Sequence, residues 1–145
     1  MKVIYADYWG SYISVVAASI HLGLIIEYNY DKLINLQEFC DRNCKEQGRL
    51  IFFGTDKKGR KVYILGVKKS GKIVERALKG ISEIYDIGKD NLYFIDLSNY
   101  KNIYIKAGEF FCKKMNCKSI GQKLIIYGIK KNFTELKKLI LKIRE

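Results

Sequence analysis

Short apolar runs of strand length alternate along this chain with segments of helical period, and no other feature restricts its fold so much. Val3-Ile4-Tyr5-Ala6, Val62-Tyr63-Ile64-Leu65 and Leu92-Tyr93-Phe94-Ile95 are such runs, each followed by a loop and then an amphipathic segment. A strand that leads through a helix to a second strand returns to the same sheet in parallel, and the helices cover the faces. The expectation is a single α/β domain over residues 1–145, a Rossmann-like three-layer sandwich. Its sheet should be mostly parallel, of about five strands with one antiparallel hairpin, and should carry helices on both faces.

The expected strands are 2–8, 50–53, 62–65, 92–95 and 124–127. Asp56-Lys57-Lys58-Gly59 is a hairpin signal and sets the second pair antiparallel. Ile13, Val16, Ala17 and Ile20 make one apolar stripe on a helix over 13–22, closed by Gly23. A polar helix or pair of turns follows over 31–47, where Asn35 and Glu38 have capping-box spacing. Ser70 should cap a helix reaching Tyr85, with Val74, Leu78, Ile81 and Tyr85 on its inner face and Gly88 beyond its end. Further helices are expected over 99–115 and from Asn132 onward. The last has Glu135 in capping-box position and buries Phe133, Leu136, Ile140 and Ile143.

Composition narrows the function classes. An apolar fraction of 48% with 13% aromatic residues supplies a packed core, and there is no proline. The start of the chain enters a strand directly and shows no signal peptide. The longest apolar run, 15–26, is interrupted by Ser19, His21 and Gly23 and is too short to span a bilayer. A cytoplasmic protein with no membrane association is therefore expected, its four cysteines free and mostly buried. Cys40 and Cys44 are four apart and Cys112 and Cys117 five apart. Neither pair has zinc-knuckle spacing, and one histidine cannot complete a set, so no metal is expected.

The net charge of +12 is unevenly placed. Residues 1–56 carry 5 basic and 7 acidic side chains, residues 57–100 carry 10 and 5, and residues 101–145 carry 12 and 3. An anionic partner on the face built by the later elements is the functional reading; a lysine-rich solvated surface is the plain one.

In sheets of this kind ligands bind beyond the carboxyl ends of parallel strands. Gly66-Val67-Lys68-Lys69-Ser70-Gly71-Lys72 follows a strand and opens a helix, with the G-x4-G-K spacing of a phosphate-binding loop. Glycines let several N–H groups turn toward one anion, and the helix N-terminus adds partial positive charge. Three lysines at a helix N-terminus are electrostatically unfavourable alone, which a bound anion would reverse. Ile73 stands where nucleotide-hydrolysing loops place the Mg²⁺-binding hydroxyl, so magnesium-dependent hydrolysis is not expected.

The first loop offers Asp7 as a nucleophile or base, with Gly10, Ser11 and Ser14 in a tight N–H-rich turn; Trp9 and Tyr12 either stack on a base or cover the sheet end. Asp96 closes an apolar strand as a metal-holding or supporting carboxylate, or as a helix cap or turn former in a role shared with Ser98 or Asn99. His21, the only histidine, lies in the last turn of its helix, where a partly protonated imidazole suits the dipole. It is two turns from Ser14, and a structural role is favoured.

Several stretches together carry a resemblance. They are Val3-Ile4-Tyr5, Ser14-Val15-Val16-Ala17-Ala18, Ile20-His21-Leu22-Gly23, Phe53-Gly54-Thr55-Asp56, Val62-Tyr63-Ile64-Leu65-Gly66 and Gly71-Lys72-Ile73-Val74-Glu75. Through them the chain resembles a family of small proteins from Gram-positive, largely spore-forming bacteria, known only as a domain of unknown function. The resemblance spans most of the chain outside residues 29–45. The first loop of that family commonly reads His-Cys-x-Gly-Gly-x-His-Ser-Ser. The matching stretch here is Ala6-Asp7-Tyr8-Trp9-Gly10-Ser11-Tyr12-Ile13-Ser14, which keeps only Gly10 and Ser14. The resemblance thus implies a shared fold and an anion site, with any thiol or imidazole chemistry lost or altered.

The functional expectation is a binder of a phosphate-bearing small molecule or nucleotide at the strand-to-helix loops, and a degenerate enzyme if one at all, with no cofactor beyond that ligand. The alternatives are a basic nucleic-acid-binding surface and a non-catalytic interaction module. Along the sequence, aromatics are not interleaved at regular spacing with Lys113, Lys114, Lys130, Lys131, Lys137, Lys138 and Lys142, so weak, non-specific nucleic-acid binding is expected.

Overall fold

A computed structural model describes residues 1–36, 39, 48–88 and 91–145 of the chain. In chain order its elements are β1 (Lys2–Asp7), α1 (Ile13–Leu22), α2 (Tyr30–Ile34), β2 (Ile51–Thr55), β3 (Lys61–Gly66), α3 (Gly71–Ile84), β4 (Leu92–Asp96), α4 (Ile103–Lys113) and α5 (Lys118–Arg144), with a 3₁₀ turn at Ser98–Tyr100. The strands form one open sheet in the order β2-β3-β1-β4. β1 pairs in parallel with β3 and β4, Tyr5 opposite Ile64 and Ile95; β2 pairs antiparallel with β3. The mixed α/β fold and the antiparallel hairpin follow the sequence reading. The sheet has four strands among the described residues, not five.

The missing strand is the main correction. Leu124-Ile125-Ile126-Tyr127 lies inside α5, a continuous helix of 27 residues, and Asn132 is interior to it and does not begin a helix. Gly121, Ile125, Gly128, Ile129, Phe133, Leu136 and Ile140 are all buried, a helical stripe that overrides the local strand preference of the apolar run. The bounding glycines are contact points and not turns. A Cβ on Gly121 would meet Cys112 Sγ and lie 2.7 Å from the Gly108 carbonyl oxygen; one on Gly128 would lie 2.6 Å from Asn102 Oδ1. Close approach of α4 and α5 thus requires them. Asn132 Nδ2 donates to the Tyr100 carbonyl at 2.7 Å.

Other boundaries shift for local reasons. α4 begins only at Ile103, because Asn102 is its cap and accepts from the Ile105 N–H at 3.1 Å. α2 is five residues long and Asn35 closes it; the rest of the 31–47 expectation, including Glu38, Cys40 and Cys44, lies outside the described residues, apart from Leu36 and Phe39. Ser70 precedes α3 but makes no side-chain cap.

Alternate β1 side chains enter two clusters. Val3 and Tyr5 join the large one with α1 and α5, whereas Ile4 and Ala6 meet Leu65 and Val67 with Val74 and Leu78 of α3. α1 is apolar nearly all round and buried from Ile13 to His21, as a helix wedged between sheet and second helix must be. Its end follows expectation, with Gly23 in the left-handed region at φ 75°. α3 covers its side of the sheet thinly, and Ile81 and Tyr85, expected inside, are exposed. Cys112 is half-buried and Cys117 exposed, so the expectation of buried thiols does not hold for this pair. Among the described residues no helix is long and apolar enough to cross a membrane.

Candidate functional site

β1, β3 and β4 run parallel, so their carboxyl ends open on one edge of the sheet, and the loops leaving them meet there. A cleft of about 360 Å³ lies at this edge, lined by residues of all three loops and of α4. Asp7, Lys68, Lys69, Gly71, Lys72 and Asp96, all candidates from the sequence, line it together.

Asp7 is almost fully buried and organises the first loop. Its carboxylate accepts from the Gly10 N–H and, through Oδ2 at 2.9 Å, from the Ser14 N–H at the start of α1. It therefore takes the place of an N-cap that Tyr12 does not supply. Gly10 adopts φ 71°, which the turn requires. Ser11 and Ser14 are wholly buried behind this turn and line none of the cleft; their hydroxyls find no hydrogen-bond partner among the described residues. Asp7 faces the cleft; Gly10, Ser11 and Ser14 shape the loop that holds it.

The second loop packs on the first. A Cβ on Gly66 would lie 2.6 Å from the Trp9 carbonyl oxygen, so only glycine allows the approach. Val67 and Lys68 donate their N–H groups to the carbonyls of Asp7 and Tyr8 at 2.9 and 3.0 Å. These amides, which a phosphate loop would turn toward its anion, instead extend the contact with β1. Val74 is the first residue of α3 to donate into the helix, to Ser70, which leaves the N–H groups of Gly71, Lys72 and Ile73 at the open end. Lys68, Lys69 and Lys72 are exposed around them, Lys68 at φ 51°.

Asp96 stands opposite. Its Oδ1 accepts from the Ser98 N–H at 2.9 Å, the turn-forming role, while the carboxylate abuts Gly71, where a Cβ would collide with it. A carboxylate already favours this helix N-terminus, which offsets part of the charge expected to attract an anion.

Two charged lining residues, Lys101 and Glu109, carried no mark in the sequence reading. Glu109 of α4 is buried and ion-paired with Lys101. Burial pushes its carboxyl above the ordinary value; Lys101 opposes this, and the charge of Asp7 adds to it. The available signal was that Glu109 is the only acidic side chain between Asp96 and Glu135. The cleft therefore holds three carboxylates, Asp7, Asp96 and Glu109, against four lysines, 68, 69, 72 and 101.

His21 is elsewhere, buried on α1. The Tyr5 hydroxyl lies 2.7 Å from its Nδ1, and its Nε2 lies 3.1 Å from Asp56 Oδ2. Asp56 only accepts, so Nε2 carries the proton and Nδ1 receives the Tyr5 hydrogen. Arg60 Nε donates to Asp56 Oδ2 at 2.5 Å, and its two terminal nitrogens donate to the carbonyls of Ile143 and Arg144. Burial lowers the His21 pKa, against the hydrogen bond to Asp56, so the expected partly protonated imidazole is replaced by a neutral one. Burial alone would raise Asp56, but hydrogen bonds from Arg60, His21 and Lys58 outweigh it and hold the carboxylate well below its usual range. This network ties α1 to the turn between β2 and β3 and to the end of α5. Among the described residues no three His, Cys, Asp or Glu side chains are grouped to hold a metal ion.

A model of the family described as "Protein of unknown function (DUF3189)" matches residues 2–145. No curated protein and no solved structure matches the chain.

Proposed function

The chain belongs to the DUF3189 family, whose description assigns no activity, and we propose that it binds a phosphate-bearing small molecule or nucleotide in the cleft at the ends of β1, β3 and β4. One observation carries the reading: Lys68, Lys69 and Lys72 surround the open N-terminus of a 14-residue helix within that cleft. The phosphate lies at this end, held by the ammonium groups and the Gly71, Lys72 and Ile73 amides. The carboxylates of Asp7 and Asp96 face donors on the remainder of the ligand, such as hydroxyl or amino groups. Three strand-end loops around one cleft, and the second cluster beneath α3, also support a three-layer, Rossmann-like arrangement. Both Asp7 oxygens already accept backbone N–H bonds, which favours binding over nucleophilic catalysis and fits a degenerate enzyme.

Thermal denaturation with phosphate, sulfate and AMP tests the reading. At a hundred times the dissociation constant a ligand stabilises by about 2.7 kcal/mol, a rise of roughly 5–10 °C for a chain of this size. Lys72→Ala, an exposed position, should remove most of the rise. An equal shift in wild type and variant would show that the anions bind elsewhere.

A further inference from the structure

α3 carries two apolar faces. Val74 and Leu78 point to the sheet and pack on the cluster of Ile4, Ala6, Leu65 and Val67. A second stripe, Ile73, Ala77, Gly80, Ile81 and Ile84, repeats at the spacing of one helix face and turns away from the sheet. Ile73 is 70% exposed and Ile84 79%, with Ala77 and Ile81 exposed between them. A lone surface isoleucine is ordinary, but an uncharged stripe along about three turns of one helix is a docking face. Arg76 and Glu83 border it on one side, both exposed.

We infer that this stripe docks on the same stripe of a second copy of the chain, the two α3 helices running antiparallel about a two-fold axis. The order of residues along the stripe selects a copy over another helix. An axis passing between Leu78 and Lys79 sets Ile73 opposite the partner's Ile84 and Ala77 opposite the partner's Gly80. Large side chains then meet at both ends and small ones at the crossing, where the helix axes come closest. Nothing in the chain lies within 4 Å of a Cβ built on Gly80, so the partner's helix has room there. In an antiparallel pair, flanking positions of the same side face each other. Arg76 therefore lies beside the partner's Glu83, and Glu83 beside the partner's Arg76, so opposite charges border the contact despite a net charge of +12. The exposed stripe with the stems of Arg76 and Glu83 offers roughly 500 Å² per copy, so two copies cover about 1,000 Å², the lower limit for a specific interface. The dimer is accordingly a weak, concentration-dependent one. Ile73 also lines the phosphate cleft, so the contact borders that site, but it requires no ligand there.

Sedimentation equilibrium of the full chain, from micromolar to near-millimolar concentration and without added anion, tests this. A reducing agent keeps the Cys112 and Cys117 thiols out of the comparison. The mass should rise with concentration from 16.9 kDa toward twice that value. Ile84→Glu should hold the chain at the monomer mass with an unchanged circular dichroism spectrum. Arg76→Glu and Glu83→Arg should each weaken association about tenfold by setting like charges across the contact, and the double variant should recover the wild-type affinity. A wild-type chain that stays monomeric throughout would leave the stripe to a different partner and overturn the proposal. Association that survives Ile84→Glu would place the interface elsewhere and overturn it equally. A double variant no tighter than the single ones would remove the antiparallel register that selects a second copy, with the same result.

Discussion

Removing the Asp56 side chain should cost more stability than any other single truncation of a polar group outside the cleft. The carboxylate is 2% exposed and accepts from four donors: His21 Nε2, Arg60 Nε and the N–H groups of Lys58 and Arg60. Asp56→Ala leaves the Arg60 guanidinium buried without its counter-charge, a loss of about 3–5 kcal/mol for a broken buried pair. Arg60 keeps its two carbonyl acceptors on Ile143 and Arg144, which places the expectation near the lower value. The neutral His21 adds one lost hydrogen bond, about 1 kcal/mol. Urea unfolding followed by circular dichroism should show a loss of roughly 4 kcal/mol at unchanged slope. Because removing both charges avoids the orphaned cation, Asp56→Ala/Arg60→Met should be less destabilised than the sum of its single variants by about 1 kcal/mol or more. A loss below about 1 kcal/mol for Asp56→Ala, or additivity within about 0.5 kcal/mol, would refute the account of a coupled buried network.

Titrating groups and helix glycines give further outcomes. His21 is depressed below the ordinary imidazole value in the folded chain, so the unfolded chain binds the proton more readily; stability should decline as pH falls below about 6.5, and urea midpoints of His21→Gln should lack that decline over the same range. Burial raises the Tyr5 hydroxyl instead, so the same series should show stability lost as pH rises above about 10 in wild type and far less in Tyr5→Phe. Gly80→Ala should stabilise by about 0.5–1 kcal/mol, since nothing lies within 4 Å of its added methyl. Gly121→Ala should destabilise by about 1–3 kcal/mol despite the same gain in helix preference, because its methyl meets Cys112 and the Gly108 carbonyl. Melting curves that move in the same direction for both variants would remove the close-packing explanation.

The sheet was legible where burial and local preference agree. Val3–Ala6, Val62–Leu65 and Leu92–Ile95 are β-branched or aromatic runs whose ends carry loops, and three of those ends converge on the cleft as the parallel arrangement requires. Leu124–Tyr127 has the same composition but belongs to α5, because its stripe extends from Gly121 to Ile140, longer than a window around the run reveals. Ile81 and Tyr85 have helical spacing yet lie beyond the sheet that α3 covers, so period alone did not decide burial. In the cleft, Asp7, the three lysines and Asp96 were visible as strand-end residues. Glu109 was not, since only the packing of α4 over the first loop brings it there. The Lys101–Tyr8 and Lys113–Trp9 ammonium–ring contacts escaped for the same reason, each joining elements about a hundred positions apart in sequence.

The central position of β1 also governs when the chain is able to fold during synthesis. Its partners in the sheet are β3 and β4, whose residues emerge from the ribosome some 60 and 90 positions later. The guanidinium of Arg60 awaits the carbonyls of Ile143 and Arg144, which emerge 83 and 84 positions after it. Until then Val3, Tyr5 and the apolar surface of α1 lack the α5 side chains that enclose them. A nascent chain therefore has no native core to close around and must keep its most apolar segment from aggregating until α5 has emerged. Chaperone dependence in the cell should accordingly concentrate on the stage before α5 emerges, after which these elements fold as one cooperative unit.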